Sequence, residues 1–131
     1  MPRMEDPERL LQAARGLLRA AGAQARGASS RAASHLTRQA LELGLDRFWL
    51  QKEPKLAQAS QRSQFICLPQ YVSEKVVARR AWWTWCALSE ACHHHVYELA
   101  PTGAEVERWI GDTEALLIAL GQMPDLKAES A

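Results

Sequence analysis

Very little in this sequence would suit a β protein, a disulfide scaffold or a membrane protein. No run of β-branched and aromatic residues alternates with polar ones, so the strand signal is close to absent. Cysteine occurs three times, at Cys67, Cys86 and Cys92, never as a close CxxC pair. An odd, scattered set argues against a disulfide framework or a zinc ribbon and makes reduced, helix-buried thiols the expectation. There is no stretch of about eighteen apolar residues, so no membrane span is expected. The N-terminus lacks the charged, apolar and small-residue order of a signal peptide, which points to a cytoplasmic protein. No internal repeat is found, which disfavours a solenoid. Acid is missing from one long stretch: between Arg9 and Leu41 there are six arginines and no Asp or Glu.

What is present is an ordinary apolar fraction, 47% of 131 residues, which suits one domain rather than a disordered chain. A chain of that length buries about two-thirds of its unfolded surface, enough for its own core. The expected core spans about 7–121, with loose ends at 1–6 and 122–131, where there is little to bury.

Five helices are expected. The first runs from about Pro7 to Ala21, with Asp6 as N-cap, Pro7 at the first helical position and an apolar stripe of Leu10, Leu11, Ala14, Leu17, Leu18 and Ala21. Gly22 to Ser30 reads as a connection. The second runs from about Ser30 to Leu50, capped by Ser29 or Ser30. Its apolar face of Leu36, Ala40, Leu41, Leu43, Leu45 and Phe48 is broad enough for two neighbours. Pro54 ends it. A third runs from about Lys55 to Leu68, with Leu56, Ala59, Ser63, Ile66 and Cys67 inward, and Pro69 closes it. The fourth is the longest, from about Tyr71 to Leu99, with a stripe of Ala81, Trp85, Leu88, Cys92 and Val96, and Pro101 stops it. Thr102 and Glu105 have capping-box spacing and open the fifth, about Gly103 to Leu120, which ends at Gly121. The fold class is all-α, an antiparallel four- to five-helix bundle.

Two features exceed what a plain bundle needs. The first is Glu90-Ala-Cys-His93-His94-His95-Val-Tyr97-Glu98. On a regular helix consecutive side chains diverge by about 100°, so the three imidazoles cannot share one metal. The pairs able to cooperate are Glu90 with His93 or His94, and His94 with Glu98. Glu90-x-x-His93 is half of a di-iron bundle motif, but no second copy occurs. The residues leave open a core-bordering His93 with His94 on the wet side, a functional role for His93, His94 and Glu90, and a zinc site using Cys92 or His93. Beside this segment Trp82, Trp83 and Trp85 point three ways, so at least one, Trp83 by position, is expected at the surface. A self-association face follows.

The second feature is a charge gradient. Residues 1–80 hold 14 Lys/Arg against 7 Asp/Glu, and residues 81–131 hold 2 against 8. The arginines Arg15, Arg19, Arg26, Arg31 and Arg38 suit planar capture of phosphate or carboxylate on RNA or an acidic protein. The alternative is that the acids of the fifth helix, Glu105, Glu107, Asp112 and Glu114, neutralise them internally.

The second helix, RAASHLTRQALELGLDRFW, followed by a long helix ending in histidines, resembles the HEPN superfamily of small helical bundles. That resemblance implies a homodimer, and either an RNase of toxin–antitoxin and anti-phage systems or a silent binding module. The family's catalytic mark is an arginine followed after four to six residues by a histidine. Here Arg31 to His35 leaves three residues between and Arg80 to His93 leaves twelve, with Ala32 and Ala81 where the family often has a polar residue. The resemblance therefore implies a silent or rearranged member.

The leading expectation is a non-enzymatic, self-associating module that binds a protein or RNA partner, with no cofactor and no membrane contact, as an accessory of a bacterial defence or toxin–antitoxin system. One alternative is a metal-independent RNase, with His93 or His94 moving the 2′-hydroxyl proton and an arginine stabilising the phosphorane. The other is a metal-binding bundle built on Glu90, Cys92 and His93.

Overall fold

A computed structural model of the chain describes residues 6–22, 27–93 and 99–125. Within them lie six α-helices and one 3-10 turn, and no strand: α1 (Pro7–Ala21), α2 (Ala28–Lys52), α3 (Pro54–Ala57), α4 (Gln61–Cys67), the 3-10 turn Leu68–Gln70, α5 (Lys75–Cys92) and α6 (Gly103–Ala119). The fold is an all-α helical bundle.

Local chemistry sets most of the boundaries. The Asp6 carboxylate accepts from the Glu8 N–H at 3.1 Å, and Pro7 follows it without a donor to lose. Gly22, at φ 87°, ends α1 by donating its N–H to the Leu18 carbonyl. At the start of α6 the Thr102 hydroxyl accepts from the Glu105 N–H at 3.1 Å, and the Glu105 carboxylate accepts from the Thr102 N–H at 3.0 Å. The reciprocal box expected there is formed.

Three boundaries differ from expectation. Helix α2 opens at Gly27, whose φ of 87° suits glycine, and not on a serine cap. Ser30 is instead a buried first-turn residue whose hydroxyl donates to the Gly27 carbonyl at 3.2 Å. The expected single helix from Lys55 to Leu68 is two short ones. Ser60 caps α4 by accepting from the Ser63 N–H at 3.1 Å, and the Gln64 amide donates to the carbonyls of Ala57 and Ala59 at 3.3 and 3.1 Å. Those bonds satisfy the end of α3 and hold the break. The change of phase turns Gln64 and Phe65 inward and leaves Ile66 65% exposed, the reverse of the inward Ile66 expected. The expected helix from Tyr71 to Leu99 is shorter at both ends: α5 begins at Lys75 and stops at Cys92, with His93 extended at φ −74°, ψ 127°.

Helix α2 is the spine, and α1, α5 and α6 all pack on it. Two apolar clusters share it. One joins Leu10, Leu11, Ala14 and Leu18 of α1 to Ala33 and Ala40 of α2 and to Val106, Ile110 and Leu117 of α6. The other joins Leu41, Leu45, Phe48 and Trp49 of α2 to Phe65, Leu68, Val72, Ala78, Ala81, Leu88, Leu116 and Leu120. Each fully buried Leu or Ile in these sets contributes about 1.5–3 kcal/mol. Trp49 is completely buried, with Phe48 and Tyr71 meeting it edge-on at ring-centre distances of 5.1 and 4.9 Å. The broad apolar face of α2 reflects these two neighbours.

Candidate functional site

The three tryptophans of α5 divide between inside and outside. Helical spacing turns Ala78, Ala81, Thr84 and Leu88 into the bundle. Trp82 and Trp85 flank that buried stripe. They stack on each other at 5.5 Å with planes 20° apart, and both lie against Phe65 at 5.7 and 6.0 Å. Trp85 is fixed further by polar partners. Its indole N–H donates to Glu42 at 3.1 Å, and the Arg38 guanidinium lies 5.6 Å from its ring centre. Arg38 also pairs with Glu42 at 3.3 Å, one turn along α2. Trp82 and Trp85 therefore serve the bundle from its rim, while Trp83 points away and is 72% exposed, as its position in the sequence implies.

The outward stripe of α5 carries Val76, Arg79, Trp83 and Glu90, all exposed, with Cys86 half-buried among them. Beside its first turns, α4 presents the exposed Ile66. Arg62, Phe65, Ile66, Pro69, Arg79 and Trp82 border a shallow groove of about 370 Å³. Apolar and cationic groups thus meet on one side of the molecule.

The basic stripe is partly consumed by the fold. Arg15 pairs with Glu114 of α6 at 2.8 Å, and Arg80 with Asp112 at 3.8 Å. Arg31 donates to the carbonyls of Ala91 and His93 at 3.2 and 3.3 Å, so a cation from α2 closes the C-terminus of α5 where the helix dipole is negative. Arg38 serves Glu42 and Trp85. Arg9 and Arg19 of α1 are exposed, and Arg26 lies outside the described residues.

The histidine run is placed differently from the helical reading. His93 is exposed and does not border the core, and its N–H donates to the Glu90 carbonyl at 3.1 Å as the helix ends. The Glu90 and His93 side chains therefore do not share one face of a regular helix. Glu90 is exposed, and His94, His95, Tyr97 and Glu98 lie outside the described residues. Among the described residues no three His, Cys, Asp or Glu side chains come together as a metal site, so Glu90, Cys92 and His93 do not form one. His35 is exposed one turn beyond Arg31 on α2.

The cysteines are free, as expected, but all three are half-buried rather than buried. Burial raises the Cys86 thiol above its ordinary range. Burial raises Cys92 too, with a smaller opposing pull from a hydrogen bond and charge of Arg38 and a small upward push from Glu42.

Sequence reasoning missed the closing role of Arg31 and the Arg38–Glu42–Trp85 junction. The one available signal was the heptad spacing of Arg31 and Arg38, which puts both on one side of α2. Comparison with protein-family models, with curated proteins and with solved structures returns no match, so the HEPN resemblance rests on the pattern of helices and residues alone.

Proposed function

We propose that this protein is a non-enzymatic helical module that self-associates through the outer face of α5 and engages an acidic partner protein with its exposed cations. The exposure of Trp83, 72% of its surface on a face shared with Val76 at 66%, carries this reading. A large apolar side chain held in water forgoes the free energy of burial, and tryptophans are among the commonest anchors of protein interfaces. A protein partner is favoured over RNA because Arg15, Arg31 and Arg38 already serve internal acceptors. A phosphate-tracking surface needs a run of cations facing outward. The dimer commonly formed by HEPN bundles, which the chain resembles in its pattern of helices, suits this reading, and an antiparallel arrangement of the main helices belongs to the same proposal. On the HEPN resemblance alone, the proposal extends to an accessory role in a bacterial defence or toxin–antitoxin system.

Light scattering tests it. A dimer is expected at micromolar concentration, and Trp83→Ala shifts it to monomer with an unchanged circular dichroism spectrum. A wild-type monomer at the highest soluble concentration overturns it. RNA binding that weakens steeply with salt would move the partner from protein to nucleic acid.

One contact favours a second reading, the metal-independent RNase. Arg31 lies at the His93 backbone, where the histidine run begins. RNA cleavage that disappears in a His93→Ala/His94→Ala double variant supports it, and cleavage by that variant at the wild-type rate removes it.

A further inference from the structure

Resting on the self-association reading, we infer that a second copy of the chain docks along α5 in antiparallel orientation, with Arg79 of each copy on Glu90 of the other and Trp83 over Cys86. Val76, Arg79, Trp83, Cys86 and Glu90 lie on the outward line of α5, separated by three, four, three and four residues. That is the spacing of a seam between paired helices. Within it Arg79, Trp83, Cys86 and Glu90 are spaced by four, three and four residues, an order that reads the same in both directions. Such a seam matches itself when one copy is turned end for end about an axis passing between Thr84 and Trp85. Residue 79 then faces 90 and 83 faces 86, and a two-fold axis makes each contact twice.

The chemistry of the facing residues is complementary. Arg79 and Glu90 are both exposed, and among the described residues neither side chain forms an ion pair within the chain. An antiparallel pair gives each a partner of opposite sign in two symmetric ion pairs. A parallel pair sets Arg79 against Arg79 and Glu90 against Glu90, repulsion at two places. The Trp83 indole, the largest exposed apolar group of the face, lands on the small half-buried Cys86, where sulfur and ring make a favourable contact. Opposite-sign groups at the ends and aromatic-on-small contacts at the centre give an interface with a dry middle and a polar rim.

Charge reversal distinguishes the arrangement from self-association in general. Arg79 and Glu90 are surface residues, so Arg79→Glu and Glu90→Arg are expected to leave the circular dichroism spectrum unchanged. Each alone is expected to weaken the dimer at least tenfold in sedimentation equilibrium. The double variant Arg79→Glu/Glu90→Arg, and an equimolar mixture of the two single variants, are expected to restore it. A dimer that Trp83→Ala dissociates but neither charge reversal weakens overturns the antiparallel register and leaves self-association standing. A wild-type chain that stays monomeric overturns both.

Discussion

Gly44 of α2 lies directly against the Leu117 side chain of α6, with no room between them for a Cβ. A Cβ added at position 44 would overlap Leu117 Cδ2 and stand 3.5 Å from its Cγ. Leu117 is completely buried and Gly44 itself is buried, so the leucine would have to shift within the bundle interior. Glycine inside a helix costs about 1 kcal/mol against alanine. Gly44→Ala therefore sets that gain against overpacking of about 1–3 kcal/mol. The variant is expected to unfold at lower urea than wild type. An unchanged or higher midpoint would show that α2 and α6 separate without cost.

Arg31 bridges two helices by donating to the Ala91 and His93 carbonyls. Arg31→Ala removes those bonds and a cation from the negative end of α5, an effect of about 0.3–1 kcal/mol. Hydrogen exchange is expected to speed up at amides 89–92 and to stay unchanged in α1. Arg31→Lys keeps the charge but replaces the planar guanidinium nitrogen with a shorter-reaching ammonium, and is expected to fall between wild type and Arg31→Ala.

Thr102 and Glu105 each satisfy the other's backbone at the start of α6. Thr102→Ala is expected to cost about 1 kcal/mol in thermal or chemical denaturation. Because α6 touches both apolar clusters, the loss should appear in the global transition rather than as local fraying. A variant as stable as wild type would mean that packing alone holds the helix end.

Cys92 titrates above the ordinary thiol range, chiefly through burial. Folded protein then keeps the thiol proton at pH values where the unfolded chain has released it. The contribution to stability is complete below the unfolded thiol's pKa and fades as pH rises through the folded value. Alkylation of Cys92 by iodoacetamide is expected to reach half its maximal rate at higher pH in native protein than in urea. Cys92→Ala should flatten the alkaline fall in stability. Coincident midpoints in the two states would remove the effect.

The parts of the fold that were legible in advance have their cause nearby in the chain. Asp6, Pro7 and Gly22 mark the limits of α1, and Thr102, Glu105 and Gly121 those of α6, because caps act within a few residues. The outward Trp83 was legible because three indoles at 82, 83 and 85 cannot all turn inward. The break between α3 and α4 was not, because apolar periodicity does not encode the Gln64 amide reaching back to Ala57 and Ala59. The early end of α5 was equally hidden: no glycine or proline stands between Cys92 and Pro101, and its capping cation lies sixty residues away. The excess of arginine was plain, but its partners on α5 and α6 were set by tertiary packing.

The spine helix has a consequence for how the molecule comes apart. Ala40 and Leu41 are neighbours in the chain yet belong to different apolar clusters, and so are Leu116 and Leu117. Two rigid rods therefore couple both halves of the interior at successive residues. Melting one half would strip partners from the same rods that support the other. Heating should accordingly give a single sharp calorimetric peak whose van't Hoff and calorimetric enthalpies agree.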